Sequence, residues 1–194
     1  MMTFAKFFRN LTACSVALWL VACANQTTQV DFNRSEAVKA RINLALAYLE
    51  QSDFPKAKEN IDKALEHDVK DYLPHSVLAY YYQQTGDNQK AEEAYQQALK
   101  LSKTQSKNNQ VRPDVLNNYG TFLCKQKQFD KAYQQFETAL TSQEAYYNQA
   151  DTLENIALCA NMKKDIEKQK TALSQLEKID KSRAERLYNF MEIR

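Results

Sequence analysis

Chain breakers are scarce in this sequence of 194 residues: it has two glycines, Gly86 and Gly120, and three prolines, Pro55, Pro74 and Pro113. Two glycines so far apart cannot build a phosphate-cradling loop, and neither G-x-S-x-G nor H-E-x-x-H occurs. Alternating strand patterns bounded by turns are missing too. Ala, Leu, Gln, Lys and Glu fill the body instead, residues of good helix propensity, so an all-α chain is expected. Histidine is nearly absent. His67 and His75 fall at helix ends, without metal-ligand spacing to Cys, Asp or Glu, and read as helix-terminal polarity. Carboxylates are dispersed among lysines, as in KAKENIDKALE, which is a solvated face. An enzyme is therefore not expected, nor a metal, a cofactor or a small-molecule substrate. No apolar run reaches the roughly 20 residues of a membrane-spanning helix. Excess charge is lacking as well, with 26 basic and 24 acidic residues. That balance gives no electrostatic reason for nucleic acid or anionic lipid as partner.

What is present begins at the N-terminus. Lys6 and Arg9 precede a mostly apolar run, Leu11 to Leu20, in the order of a signal peptide. The run ends in Leu20-Val21-Ala22-Cys23, which resembles a bacterial lipobox. The resemblance implies cleavage between Ala22 and Cys23 and lipid attached to the Cys23 thiol. Two or more acyl chains hold a protein stably on a bilayer, where one is marginal. Ala24 stands where inner-membrane lipoproteins commonly carry Asp, which implies the periplasmic face of the outer membrane. Residues 1–22 form the expected signal, 23–36 a flexible tether, and 37–194 the folded domain. Removing the signal takes away Lys6 and Arg9 and no acidic residue, which leaves 24 of each sign in 172 residues.

The folded part repeats itself. FPKAKENIDKAL (54–65), NQKAEEAYQQAL (88–99) and FDKAYQQFETAL (129–140) place Ala57, Ile61, Ala64 in register with Ala91, Tyr95, Ala98 and with Ala132, Phe136, Ala139. Ahead of each lies a matching helix containing Leu44-Ala45 and Tyr48, Leu78-Ala79 and Tyr82, or Tyr119-Gly120 and Leu123. Ala57 and Ala91 are 34 residues apart. That period and pattern resemble the tetratricopeptide repeat. Small residues at Ala45, Ala79 and Gly120 let the second helix of each pair approach, and no repeat buries its apolar stripe alone. The interval from Ala91 to Ala132 is seven residues longer, and the excess falls in SKTQSKNNQVR, read as a polar loop ending at Pro113. A fourth, degenerate unit runs from about Ala150 to Lys178, with Ile156-Ala157, Leu173 and Gln169 in the aligned positions. A last helix, Arg183 to Ile193, carries Ala184, Leu187 and Met191 on one face and caps the stack. The expected fold is a tetratricopeptide-repeat superhelix of about four helix pairs plus a capping helix.

Of the four cysteines, Cys14 leaves with the signal and Cys23 takes lipid. Cys124 and Cys159 remain, either as a disulfide or as two buried thiols packed as small hydrophobes. First helices of successive repeats run side by side, which favours the disulfide.

VLNNYGTFLCKQKQFDKAYQQFETAL (115–140), with ENIALCA (154–160), resembles the type IV pilus biogenesis lipoproteins of PilF and PilW type. The resemblance spans lipobox, repeats and both cysteines, although those relatives typically carry about six repeats. It implies a pilotin, which helps a secretin of PilQ type reach the outer membrane and form its ring. A second reading, from another class, is a general periplasmic repeat scaffold for envelope or peptidoglycan machinery.

Counting in step with the repeats, the concave groove is expected to present Ile42, Leu46 and Leu49, then Ser76, Tyr80 and Gln83, then Asn117, Thr121 and Cys124. Leu44, Ala45 and Tyr48 are assigned to the core. The apolar first set is either a partner site or a face covered by Val30 and Phe32.

Overall fold

The computed structural model describes residues 33–144 and 146–191. The expectations for residues 1–32, including the signal, Cys23 and most of the tether, lie outside the described residues. Among those described, nine α-helices occur and no strand. They are α1 (Arg34–Glu50), α2 (Phe54–His67), α3 (Tyr72–Gln84), α4 (Asn88–Gln105), α5 (Pro113–Lys125), α6 (Phe129–Leu140), α7 (Gln149–Lys163), α8 (Ile166–Ile179) and α9 (Lys181–Phe190). Helix α1 starts at Arg34, inside the stretch assigned to the tether.

Consecutive helices pair as α1 with α2, α3 with α4, α5 with α6 and α7 with α8, and α9 packs on α8. The first helices of the pairs also touch in the order α1, α3, α5, α7, so they form a row. This is the tetratricopeptide arrangement.

The turn inside each pair is built four times in the same way. A residue with positive φ stands at Ser52, Gly86, Lys127 and Lys164, with φ of 57°, 84°, 60° and 62°. The next residue donates its N–H five residues back, from Asp53 to Tyr48 O, Asp87 to Tyr82 O, Gln128 to Leu123 O and Asp165 to Ala160 O, each at 2.9 Å. That six-to-one bond satisfies a carbonyl at the end of the first helix. In three of the four turns the same residue is an Asp that caps the second helix, accepting from the N–H of Lys56, Lys90 or Lys168. A single repeating turn sets a single pair angle. Only Gly86 takes the left-handed conformation without Cβ strain. Lys127→Gly is therefore expected to raise stability by about 0.5–1 kcal/mol in urea denaturation, after the larger unfolded-state entropy of Gly is set against the relieved strain.

Close approach within pairs depends on small residues, as the pattern implies. Ala45, Ala57, Ala79, Ala91, Ala132 and Ala157 are fully buried. In the third pair the large residue is Phe136, and a Cβ on Gly120 would stand 2.6 Å from its ring. Gly120→Ala is expected to cost about 1 kcal/mol, because overpacking outweighs the helix propensity gained. Adding Phe136→Ile, the residue that faces Ala45 in the first pair as Ile61, should restore the loss in a double-mutant cycle read by thermal melts.

The apolar interior has two parts. One contains Val38, Ile42, Ala45, Leu49, Ala57, Ile61, Ala64 and Val77. The other runs from Ala79 through Tyr95, Phe122, Phe136, Cys159 and Leu173 to Leu187. Leu78, half-buried, flanks both.

Two details differ from the sequence reading. SKTQ, read as the start of a loop, is the last turn of α4, which has 18 residues against 14 in α2. Ser102 is fully buried there with its hydroxyl on Leu99 O, and the Gln105 side chain bonds Lys70 O. The remaining loop is tied to residues 142–144: the Ser106 hydroxyl and Asn108 amide both donate to Glu144, and Gln110 accepts from Gln143 N–H. The capping helix begins at Lys181, with Asp180 accepting from Arg183 N–H, and stops at Phe190. Ala184 and Leu187 form its buried face, and Arg183 bridges to Asp151 and Glu154 of α7. Gln169, aligned with the small residue of other repeats, is 1% exposed. Its amide donates to Asn161 Oδ1 at 3.2 Å and to Met191 Sδ at 2.8 Å, which links α8 to the end of α9.

Cys124 on α5 and Cys159 on α7 are bonded in this structure, with Cα atoms 5.8 Å apart and both residues buried. The bridge joins the first helices of the third and fourth pairs.

Candidate functional site

The row of first helices carries a groove of about 260 Å³. Leu46 comes from α1. Ser76, Tyr80 and Gln83 come from α3, and Thr121 and Lys125 from α5. Asn155 on α7 closes the far side, and Tyr95 of α4 forms part of the floor. Side chains reach the groove because one face of each first helix is spent on its own partner while the adjacent face, about a quarter-turn away, stays open.

Of the nine residues assigned to the groove, five line it: Leu46, Ser76, Tyr80, Gln83 and Thr121. Two are corrected. Ile42 and Leu49, exposed by only 1% and 6%, belong to the core of the first pair with Ala57 and Ile61. The buried stripe of α1 is Val38, Ile42, Ala45 and Leu49, spaced four, three and four, so its phase is rotated from the one assumed. Leu44, assigned to the core, is 46% exposed, and Tyr48 is half-buried beneath Lys56 Nζ, 5.3 Å from its ring. Leu44, Ala40 and Ala47 stand on the open outer face of the first pair. Asn117 is also buried, as a strut: its Oδ1 accepts from Asn155 Nδ2 at 3.0 Å. Cys124, counted with the groove, is buried in the disulfide.

Sequence reasoning missed Asn118, Lys125, Asn155, Val77 and Tyr95, which also line the groove. Asn155 stands to Ala157 as Asn118 does to Gly120, so carrying the repeat register into the fourth pair would have found it.

Chemically the groove is apolar at Leu46 of α1, mixed along α3, where Ser76 and Gln83 accompany Val77 and Tyr80, and polar at α5 and α7. Burial holds the Tyr95 phenol well above its ordinary pKa, with nearby Tyr80 a smaller cause, so it stays neutral. Among the described residues, Lys125 is the one charged residue of the lining. Gln83 Oε1 is buried and finds no hydrogen-bond partner among the described residues. His75 lies outside this groove, with Nε2 2.8 Å from Val69 O, and His67 sits in the last turn of α2. Among the described residues no cluster of His, Cys, Asp or Glu could hold a metal, and no helix is long and apolar enough to cross a membrane.

Residues 42–106 and 76–150 each match the tetratricopeptide repeat family. An uncharacterised protein of Haemophilus influenzae is 45% identical over 178 residues, which span 92% of this chain and 94% of that one. The type IV pilus assembly protein PilF of Pseudomonas aeruginosa is 34% identical over 155 residues, covering 77% of this chain and 58% of its own. Among solved structures, Pseudomonas aeruginosa PilF superposes with a TM-score of 0.66 at 30% identity, over 76% of this chain and 63% of that one. PilW, a widely conserved type IV pilus biogenesis factor, gives 0.62 at 25% identity, over 73% and 61%. The chain thus spans less than two thirds of either pilus protein. With matched repeats over more than half its length, the chain belongs to the tetratricopeptide repeat family and is a relative of the type IV pilus biogenesis proteins PilF and PilW.

Proposed function

We propose that this protein is an outer-membrane lipoprotein adaptor of type IV pilus biogenesis, a pilotin that brings a PilQ-type secretin to the membrane and promotes its ring assembly. The observation that carries this reading is the relationship to PilF across most of the chain. The lipobox-like stretch ending at Cys23 supplies the anchor, and the groove supplies the docking surface. The activity is binding, without catalysis. Because the chain spans less than two thirds of PilF and PilW, the proposal covers what the four described helix pairs do.

Deleting the gene and blotting for heat-resistant secretin multimers tests the role: their undiminished presence would reject it. Leu46→Glu tests the surface. Leu46 is half-buried at the rim and packs on the first core only from outside. The substitution should keep the helical circular dichroism and lower stability by about 1 kcal/mol, a fraction of full Leu burial. Secretin multimers should fall steeply because a charge then sits in the interface. Normal multimers with Leu46→Glu would remove the groove from the account.

A further inference from the structure

A short turn joins the helices of each pair, so they run antiparallel and the four turns share one edge of the array, while Arg34, where α1 begins, lies at the other. With 17 residues at about 1.5 Å each, α1 sets the two edges roughly 25 Å apart. Charge is distributed unevenly along the turn edge. Residues 52–56 and 86–90 each hold one Asp and one Lys, and these pair, Lys56 with Asp53 at 2.8 Å and Lys90 with Asp87 at 2.7 Å. Residues 127–131 and 163–170 hold six Lys against Asp130, Asp165 and Glu167. The two Lys-rich turns adjoin: Lys163 Nζ reaches Asp130 Oδ1 at 2.7 Å and Lys168 Nζ reaches Glu137 Oε1 at 3.1 Å, both beside the Tyr133 ring. In the third pair Gln128 stands where other turns have the capping Asp, so Lys131 donates to a neutral amide at 2.9 Å. Among the described residues Lys127, Lys131, Lys164 and Lys170 make no ion pair. Lys127 and Lys164 also hold the left-handed positions, with φ of 60° and 62°, that Ser52 and Gly86 fill in the first two turns. Like charges gathered at strained positions lower stability and call for a reason outside the fold. A hollow of about 370 Å³ opens there, lined by Lys127, Lys131, Lys163, Asp130, Gln128 and Phe129. Met162 and Ile166, on the same edge, are about half exposed.

We propose that the turn edge of the third and fourth pairs is a second docking surface, which takes an acidic segment of a partner protein. Carboxylates of that segment meet Lys127, Lys131, Lys163 and Lys164, and an apolar side chain among them lies on Phe129. Opposite potentials draw such a partner in and fix its register. A protein fits this edge better than a lipid surface for two reasons. The hollow is concave and admits side chains, where a bilayer is flat. Asp130 and Glu167, both exposed, oppose a uniformly anionic bilayer, whereas a peptide segment can leave them uncovered. The surface goes beyond the adaptor reading: it lies on the turn edge and not in the groove, and it stands or falls whether or not the groove takes a secretin.

Binding is measured on the complete Cys23→Ala chain, so that lipid at position 23 plays no part. The probes are a Glu-rich peptide with Leu at every fourth residue, the same peptide with Gln for Glu, and vesicles containing phosphatidylglycerol. The Glu peptide should bind more tightly than the Gln peptide, and increasingly so as salt is lowered. Lys163→Gln with Lys164→Gln should weaken it about tenfold, each exposed ion pair contributing a factor of about 1.5–5. Lys127→Gly should weaken it about threefold while the chain becomes more stable, a combination that a purely structural role for Lys127 does not give. Lys56→Gln with Lys90→Gln, at the equivalent turns of the first two pairs, should leave binding unchanged. Equal binding of the two peptides, no loss with the Lys163 and Lys164 double variant, or the same loss with both double variants overturns the proposal. Vesicles that bind in place of the Glu peptide and depend on Lys163 and Lys164 also overturn it, because the edge is then a lipid contact. Since peptide binding is read directly, loss of secretin multimers with Leu46→Glu bears on the groove alone.

Discussion

Cys23→Ala is expected to release the protein from the membrane altogether. Among the described residues no helix is long and apolar enough to span a bilayer. The exposed apolar residues of the described helices, such as Leu44, Met162, Ile166, Ile179 and Phe190, are scattered over different helices, and the proposed mature chain has equal basic and acidic residues, so the surface has little to hold it on lipid. Multiple acyl chains contribute about 0.8 kcal/mol for each buried methylene, an attachment that no scattered exposed side chain replaces. The variant should move to the soluble periplasmic fraction while its helical content and melting temperature stay unchanged, since the thiol lies outside the repeats. Fractionation that still finds the variant in the outer membrane would reject the anchor. Secretin multimers should fall together with the anchor, because an unanchored adaptor binds its partner without carrying it anywhere.

The second large effect concerns the bridge between α5 and α7. Replacing both Cys124 and Cys159 by Ala should lower unfolding free energy by about 3–4 kcal/mol, the chain-entropy value for a loop of this size. The effect is large for a protein of marginal stability. If Cys23 carries the proposed lipid, the oxidised mature chain should also give no free thiol when alkylated without reductant and examined by mass. Labelling at both Cys124 and Cys159, or a double variant that melts with the parent, would count against a stabilising disulfide.

The repeat pattern was readable because it recurs. Ala57, Ala91 and Ala132 occupy one structural position three times, so their common role outweighs any local ambiguity, and Tyr80, Gln83 and Thr121 follow from it by offset. The first helix lacked that support. INLALAYLE is apolar on nearly every side, so periodicity does not fix which side is buried, and nothing precedes the first pair among the described residues to claim Leu44. Burial then went to Val38, Ile42, Ala45 and Leu49, the stripe facing α2, and Leu44 was left outward. The extension of α4 was hidden for a different reason. Ser102, Thr104 and Gln105 read as loop by composition, yet Ser102 satisfies its hydroxyl on the helix itself and Gln105 reaches Lys70 O, so the added turn carries its own polar groups without loss.

The two-part interior, together with a bridge confined to the third and fourth pairs, has a consequence for binding. The first pair's core reaches only to Val77 and its neighbours on α3 and has no covalent tie, so the pair should open as a local unit at lower free energy than the rest of the array. Leu46, the groove's contribution from that pair, is present only when the pair is closed. An occupant that spans α1 to α5 therefore stabilises the closed first pair by the same free energy by which an open first pair penalises the occupant. Order in the first pair and occupancy of the groove are then thermodynamically linked: a filled groove makes α1 stiff where an empty one leaves it loose.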